Sequence, residues 1–341
     1  MVSPVYKIKT ENFSVYEVTP KACQKSKRKF PGAIHAIELF KAHNKLNLIT
    51  DPKNSKFFKG GLFEEKPIGA RINCLPNGEK LDKMYSLFAP KLTIHDEKSN
   101  SHWDVIFENP SGKLAYIYTL EKDKLSKVVK YKKVDEFEKR LPKLKRNLNT
   151  AIEKDEIVLP MMILLKTKMR VGNEIYYMKN SHKGLTTLMK KDIKISGNKV
   201  TFNFIAKDGV PQKITETFSN IVVNKLKEVL KSKKPKDFIF VDDNGHPLKD
   251  MAFEKAFKKY CGQKFYPHIV RSHFATEETM KFIENNPHPS KEEVRKFYLS
   301  IAEKLGHKKY SKKNGWEDSY QVTLHYYINP VLIKKIEKSI K

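Results

Sequence analysis

The sequence predicts an α+β protein of two domains, a β-rich N-terminal domain over residues 1–132 and a mainly α-helical domain with one β-hairpin over residues 133–341. Two observations support this division. A chain of 341 residues exceeds the usual size of one domain. The local pattern also changes along the chain, from aromatic and β-branched runs between turn-forming residues to apolar residues at three- and four-residue steps.

Turn-forming residues divide the N-terminal part into short segments. The turns are Pro31-Gly32, Gly60-Gly61, Pro76-Asn77-Gly78 and Asn109-Pro110-Ser111-Gly112. The last turn separates residues 103–107 from residues 114–120, and both runs are rich in aromatic and β-branched side chains. This pattern predicts a β-hairpin and, for the domain as a whole, a basic β-rich fold.

Helical periodicity follows this hairpin. The apolar positions at three- and four-residue steps are Val134, Phe137, Leu141, Leu144, Leu148 and Ile152. They predict a helix with a kink or a restart near Pro142. A further helix should begin at Ser290, where Glu293 completes a capping box, and should end at Gly306. Residues 331–340 indicate a last amphipathic helix.

One β-hairpin interrupts the helical part of the chain. Apolar and polar residues alternate over residues 200–204, Asp208-Gly209 forms a turn, and residues 214–218 form the returning strand. This arrangement places Lys207 at the tip of the hairpin, where a lysine is either solvated or able to reach into a groove.

Lysine dominates the charge of the chain. Lys and Arg together number 67 against 39 Asp and Glu, which gives a formal net charge of +28 spread along the whole sequence. A field of this sign favours a polyanion as the partner. The longest apolar run, residues 157–165, contains Pro160 and is too short to cross a bilayer, so no membrane span is expected.

The compartment can also be predicted. Residues 1–13 lack the apolar core of a secretory signal, and Cys23, Cys74 and Cys261 are isolated thiols without metal-ligand spacing. We therefore expect an intracellular, reduced protein without structural zinc.

Arginine is rare among the basic residues. The seven arginines are Arg28, Arg71, Arg140, Arg146, Arg170, Arg271 and Arg295. Where Arg persists against a bias towards Lys, its planar group can grip an oxyanion with two hydrogen bonds, whereas Lys offers a point charge. We take Arg170 and Arg271 as candidates for such a role. A solvated surface position is the alternative for any of the seven.

A set of residues in the second domain could carry out strand transfer at a phosphodiester. Its members are Arg170, Lys207, Arg271, His307 and a tyrosine among Tyr320, Tyr326 and Tyr327. Tyrosine can act as the nucleophile, guanidinium and imidazole groups can hold the non-bridging oxygens, and lysine can donate a proton to the leaving oxygen. No Asp or Glu cluster with metal-ligand spacing accompanies them, so the cations are expected to replace a metal and no cofactor is expected.

These residues lie in motifs that follow one another in a fixed order. Residues 170–188 begin with Arg-Val-Gly-Asn-Glu and end with the run Gly-Leu-Thr-Thr-Leu. The other motifs are residues 137–145, 202–208, 265–271, 305–307 and 327–330. In this order they resemble the catalytic domain of type IB DNA topoisomerases of the poxviral and bacterial kind. The resemblance extends from about residue 100 to residue 335.

The resemblance implies a mechanism on duplex DNA. Tyr327 would attack a backbone phosphate and form a 3′-phosphotyrosyl link. Arg170, Arg271 and His307 would stabilise the pentacoordinate phosphorane, and Lys207 would donate a proton to the 5′-oxygen. The free 5′ end would then swivel about the intact strand before religation, which relaxes supercoils without ATP or an obligatory metal.

The same resemblance implies further contacts and an organisation. DNA contacts are expected at Tyr176, Lys183 and His268. A β-rich N-terminal domain could close over the other side of the duplex as a clamp, which suits a monomer that acts on plain DNA.

Two other tyrosines near Tyr327 could be the nucleophile. A polar, Lys-rich insertion over residues 308–318 separates His307 from Tyr327. Tyr326 and Tyr320 are therefore alternatives, but Ile-Asn-Pro follows Tyr327 alone among the three.

Two other functions on DNA are also compatible with the sequence. Residues 267–276 are closer to the corresponding segment of tyrosine recombinases, which share this catalytic domain and carry a His three residues before the Arg, as His268 precedes Arg271 here. A site-specific recombinase or integrase is therefore the second hypothesis. A DNA-binding protein without catalytic activity is the third, because charge alone would permit it.

Overall fold

The computed structural model describes residues 3–95, 103–109 and 112–341. The chain divides into two compact units, Met1–Val128 and Val129–Lys341. Short antiparallel sheets dominate the first unit and helices the second, which confirms the predicted α+β class. Within the described ranges, no helix combines the length and the apolar character that a membrane span requires.

In the described part of the first unit, antiparallel sheets of five, two and three strands and a helix surround the core. The elements are β1 Val5–Ile8, β2 Val15–Val18, β3 Cys23–Lys25, α1 Pro31–Ala42, β4 Gly61–Phe63, β5 Lys66–Ile68, β6 Ile72–Cys74, β7 Lys80–Tyr85, β8 Thr93–Ile94, β9 Val105–Glu108 and β10 Leu114–Ile117. The sheets have the orders β3-β2-β1-β4-β5, β6-β7 and β10-β9-β8.

Helix α1 differs from the sequence-based expectation. We predicted a turn at Pro31-Gly32, but Pro31 is the first residue of the helix. Proline suits this position because its φ angle is already helical and the first N–H of a helix has no intrahelical partner. Ala36 and Phe40 lie on the buried face of α1.

The predicted hairpin in the first unit is confirmed, with shorter strands. Strand β9 pairs with β10 in antiparallel register, from Val105 opposite Ile117 to Glu108 opposite Leu114. Two residues of the predicted turn, Pro110 and Ser111, lie outside the described residues.

The second unit is mainly helical. Its elements, beginning with a helix that starts in the first unit, are α2 Leu120–Ala151, α3 Val158–Thr167, α4 Glu174–Asn180, β11 Ile193–Ser196, β12 Lys199–Ile205, β13 Pro211–Thr217, α5 Asn220–Lys231, α6 Asp250–Cys261, α7 Ile269–Asn285, α8 Lys291–Lys304, β14 Lys308–Ser311, β15 Gly315–Asp318, α9 Gln321–Tyr326 and α10 Pro330–Ser339.

Helix α2 is longer than predicted, because it already begins at Leu120. Pro142 lies inside it without dividing it into two elements. Proline removes one hydrogen bond from a helix interior, but Phe137 and Leu144 are fully buried on either side of it, and this burial stabilises the continuous helix.

The predicted hairpin of the second unit is confirmed as β12 and β13, with Phe202 opposite Ile214. Lys207 begins the short turn that joins the strands, and Asp208 adopts a φ of 65° there. Strand β11 adds a third strand that we did not predict. The hairpin places Lys207 at its tip, as expected.

The predicted helix from Ser290 is confirmed as α8. The Ser290 hydroxyl accepts a hydrogen bond from the Glu293 amide at 3.2 Å, and the Glu293 carboxylate accepts one from the Ser290 amide at 2.7 Å. The predicted last helix is confirmed as α10. Residues 308–318, expected as a polar insertion, form the hairpin of β14 and β15.

Candidate active site

Tyr327 lies at the C-terminal end of α9 with 3% of its surface exposed. Its hydroxyl accepts a hydrogen bond from Nη2 of Arg170 at 3.1 Å and is 2.8 Å from Nε2 of His268. The guanidinium of Arg271 lies over its ring, 5.1 Å from the ring centre. The structure therefore brings one tyrosine oxygen together with cationic and imidazole groups.

The backbone around Arg170 explains why glycine occupies position 184. The amide of Leu185 donates to the Arg170 carbonyl at 2.8 Å, so the Gly-Leu-Thr-Thr-Leu run packs directly against the Arg170 segment. A Cβ at Gly184 would lie 2.6 Å from the Gly172 nitrogen and 2.7 Å from the Arg170 oxygen. Glycine is required here because the two backbones approach too closely for any side chain.

The two threonines of this run support the same segment. Both are fully buried, and Thr186 Oγ1 donates to the Val171 carbonyl at 2.9 Å. The amide of Gly184 donates to Thr187 Oγ1 at 2.9 Å. The polar groups of the run are thus used within the protein, and they fix the backbone from which Arg170 extends.

Arg271 lies in the first turn of α7 and is 3% exposed. Its Nη1 donates to the Lys168 carbonyl at 2.6 Å and its Nη2 to the Leu305 carbonyl at 2.7 Å. Nη2 also lies 3.1 Å from Nε2 of His307. Both terminal nitrogens of Arg271 thus hold main-chain carbonyls in this structure.

One nitrogen of Arg271 remains available. Its Nε is buried and has no hydrogen-bond partner among the described residues. Burial lowers the pKa of Arg271 to about 10, so the guanidinium remains charged at neutral pH. A buried donor without a partner is costly, and an incoming phosphate oxygen would satisfy it.

Two histidines flank Tyr327 in their neutral form. Burial, followed by the charges of Arg271 and Arg170, lowers the pKa of His268 to about 2. The same causes lower the pKa of His307 to about 3. Because arginine can only donate, Nε2 of His268, 3.3 Å from Arg170, is an acceptor. The Tyr327 hydroxyl, 2.8 Å away, can donate a hydrogen bond to the same nitrogen.

His307 follows Gly306, whose φ of 67° turns the chain at the end of α8. Its Nδ1 lies 2.8 Å from Oγ1 of Thr323, and its ring lies 4.7 Å from the ring of Tyr327. Sequence analysis missed Thr323, because no local pattern indicates that α9 packs against this imidazole. Thr323 orients His307 from the helix that also carries Tyr327.

Lys207 lines the same cleft as Arg170, Arg271 and His307. The lysine is exposed at the hairpin tip, and within the described ranges its ammonium makes no hydrogen bond or ion pair. It does not contact Tyr327 in this structure. The hairpin thus carries an unpaired cation to the edge of the site.

The three predicted DNA contacts occupy different environments. His268 lies in the site itself, and Tyr176 is exposed on α4. Lys183 forms an ion pair of 2.6 Å with Asp192, and the two side chains are only 10% and 8% exposed. This geometry argues against a DNA contact for Lys183, because removing it from a buried pair would leave a carboxylate uncompensated.

Within the described ranges, neither alternative tyrosine is hydrogen-bonded to Arg170 or Arg271. Tyr326 is exposed, and Tyr320 packs against Tyr298 with their ring centres 5.7 Å apart. Among the described residues, the hydroxyl of Tyr327 is the one bonded to both Arg170 and His268. No group of three His, Cys, Asp or Glu side chains that could hold a metal ion occurs in the ranges that the structure describes.

A tyrosine hydroxyl bonded to arginine and histidine, with a lysine at the edge of the same cleft, is a set of groups suited to phosphoryl transfer through a phosphotyrosine. Residues 121–328 match the family model described as eukaryotic DNA topoisomerase I, catalytic core. This chain belongs to that family, which confirms the resemblance derived from its motifs and identifies it as an isomerase acting on DNA.

Individual proteins give further similarities. DNA topoisomerase 1B of Acanthamoeba polyphaga mimivirus is 25% identical over 252 residues, which cover 68% of this chain and 74% of the relative. Two solved structures of XerH site-specific recombinase, in a post-cleavage complex with palindromic difH and a pre-cleavage complex with difH, are 17% identical with a TM-score of 0.33. Those matches cover 49% of this chain and 45% and 46% of the recombinase chains.

Proposed function

We propose that this chain relaxes supercoiled DNA as a type IB topoisomerase, with Tyr327 as the nucleophile. The observation that carries the proposal is the position of the Tyr327 hydroxyl, 3.1 Å from Arg170 and 2.8 Å from His268. A nucleophile held between a cation and a proton acceptor is arranged for attack on a phosphodiester.

In the proposed cleavage step, the negative charge of the bound phosphate raises the pKa of His268, and its Nε2 takes the proton of Tyr327 as the tyrosine oxygen forms a bond to phosphorus. The bond from phosphorus to the 5′-oxygen breaks, and Lys207 donates a proton to that oxygen. A lysine at a hairpin tip can enter a groove of the duplex and act as the acid, whereas the guanidinium of arginine stays protonated and cannot donate its proton. The reverse transfers religate the strand.

Three groups would stabilise the negative charge of the phosphorane. Arg170 already contacts the attacking oxygen, and Nε of Arg271 supplies the buried donor without a partner. In this structure Nε2 of His307 accepts from Arg271, because arginine can only donate. A bound phosphate opposes the effect of the arginines and raises the pKa of His307, which allows the protonated imidazole to donate to an equatorial oxygen.

The first unit, corresponding to the expected domain over residues 1–132, would bind the duplex. Lys25, Lys27 and Lys29 are exposed on it, and closely spaced cations of this kind bind phosphates without reading bases. The torsion in the DNA would drive rotation of the cleaved strand, so no ATP is needed. We propose a monomer that acts on intracellular DNA.

Relaxation of negatively supercoiled plasmid in EDTA and without ATP tests the proposal. The wild-type protein should produce a ladder of topoisomers, and detergent should trap a covalent protein–DNA complex. Recombinant products that depend on paired recognition sites would instead support the site-specific recombinase alternative. Binding without relaxation or a covalent complex would contradict the proposal in favour of a DNA-binding protein.

Replacing Lys207 with Ala should slow strand cleavage by about a hundredfold or more, the usual contribution of a general acid. A substrate with sulfur in place of the leaving 5′-oxygen should restore the rate, because a thiolate leaves without a proton. Cleavage rates on both substrates are measured under single-turnover conditions. Lys213→Ala is the control, because Lys213 is exposed on the same hairpin but does not line the cleft. A sulfur substrate that leaves Lys207→Ala slow would remove Lys207 from the acid role.

A further inference from the structure

Two neighbouring side chains of α2 bind the main chain on either side of Tyr327. The ammonium of Lys130 donates to the carbonyl of Tyr326. The hydroxyl of Tyr131 donates to the carbonyl of Ile328 at 2.6 Å. The Lys130 ammonium also lies 5.5 Å from the centre of the Tyr327 ring. Consecutive residues of one helix thus hold the peptide group before the proposed nucleophile and the peptide group that follows Ile328.

These carbonyls need donors from outside their own segment. Helix α9 ends at Tyr326, and the last carbonyls of a helix have no intrahelical partner. The amides of Val331 and Leu332, which follow Ile328, donate to the side chain and carbonyl of Asn329 instead. Ile328 is fully buried and Tyr131 is 6% exposed, so water cannot readily replace the Tyr131 hydroxyl.

The main chain before and after Tyr327 decides where its phenol points. Tyr327 has φ −128° and ψ −28°, which are not regular helical values, so the helix ladder of α9 holds this residue only through its amide. Its amide donates to the Thr323 carbonyl at 3.0 Å, which fixes one side of the residue. The bond from Lys130 restrains the peptide before Tyr327, and the bond from Tyr131 restrains the peptide after Ile328, so the main chain is held on both sides of the nucleophile.

We infer that Lys130 and Tyr131 are positioning residues, which hold the main chain so that the Tyr327 hydroxyl lies between Arg170 and His268. This inference rests on the proposed role of Tyr327. Neither side chain donates to the reacting oxygen, and both act through the backbone. An error of about 1 Å in a nucleophile can cost up to a hundredfold in rate, so the loss of one such bond should slow cleavage without affecting DNA affinity.

The chain offers a matched control for Tyr131. Tyr298 belongs to the same unit, is also 6% exposed, and its hydroxyl has no hydrogen-bond partner among the described residues. Tyr131→Phe and Tyr298→Phe therefore remove the same atom from equally buried rings. They differ in whether that atom holds the segment of the nucleophile.

The experiment measures single-turnover cleavage of a duplex at saturating protein, together with DNA affinity and melting temperature. We expect Tyr131→Phe to lower the cleavage rate constant about tenfold with unchanged DNA affinity. Tyr298→Phe should retain the wild-type rate. A Tyr131→Phe rate equal to that of Tyr298→Phe, or a loss confined to DNA affinity, would overturn the inference.

A second pair of variants keeps the test decisive if Tyr131→Phe does not fold. Lys130→Met removes the donor from a half-buried position, and Lys130→Arg keeps one. We expect Lys130→Met to cleave slowly and Lys130→Arg to recover most of the wild-type cleavage rate. Equal cleavage rates for both variants and the wild type would contradict a positioning role for Lys130. If the wild type itself forms no covalent complex, the proposed function fails instead, and the two failures are thereby distinguished.

Discussion

The Tyr327→Phe protein should bind supercoiled DNA but neither relax it nor form a covalent complex with it. The substitution removes the one atom that would bond to phosphorus, and no neighbouring group can replace it. The phenyl ring keeps the packing that buries Tyr327 beside Ile328 and beneath Arg271. Relaxation gels, detergent-trapped complexes and DNA binding, all measured on the same preparation, separate loss of chemistry from loss of folding.

Tyr326→Phe is the matched control for this experiment. Tyr326 precedes the proposed nucleophile directly, but it is exposed, so removal of its hydroxyl should leave relaxation unchanged. If Tyr327→Phe still relaxes the plasmid and Tyr326→Phe does not, the nucleophile is Tyr326. If both variants remain active, Tyr320 becomes the candidate.

Arg271→Lys should lower the cleavage rate by at least about a hundredfold, although the charge is conserved. Arg271 donates to two carbonyls, those of Lys168 and Leu305, and contacts Nε2 of His307. A lysine has a single nitrogen and cannot reach these positions and a phosphate together. It also leaves buried acceptors unpaired, at a cost of about 1–3 kcal/mol each.

Cleavage by Arg271→Lys must therefore be measured well below its own melting temperature, with melting recorded in parallel. Arg295→Lys is the control, because Arg295 is exposed on α8 and pairs only loosely with Glu292, at 3.6 Å. Its rate and stability should match those of the wild type. Near-normal cleavage by a folded Arg271→Lys protein would place Arg271 outside the phosphate site.

The sequence predicts those elements whose signals are local. The capping box of Ser290 and Glu293 marks the start of α8, and alternation over residues 200–204 marks β12. Helix α1 was missed because Pro31-Gly32 is as typical of a turn as of a helix start. The early start of α2 at Leu120 was missed because its first turns have few buried residues to reveal a period.

The members of the site could be proposed from motifs, but their mutual contacts could not. The bond from Tyr131 to Ile328 joins residues 197 positions apart, and no local pattern encodes it. The ion pair of Lys183 is closer in sequence, yet its burial depends on how β11 and the preceding turn pack. Such contacts depend on tertiary structure, which sequence periodicity does not describe.

The packing of the Gly-Leu-Thr-Thr-Leu run limits what the presence of this run can indicate about activity in other proteins. Gly184 is required by the close approach of two backbones, and the hydroxyls of Thr186 and Thr187 form hydrogen bonds with main-chain groups. None of these atoms contacts the Tyr327 hydroxyl. A protein that had lost its nucleophile could therefore retain the whole run, so the run is a marker of the scaffold, and only the residues around Tyr327 are a marker of activity.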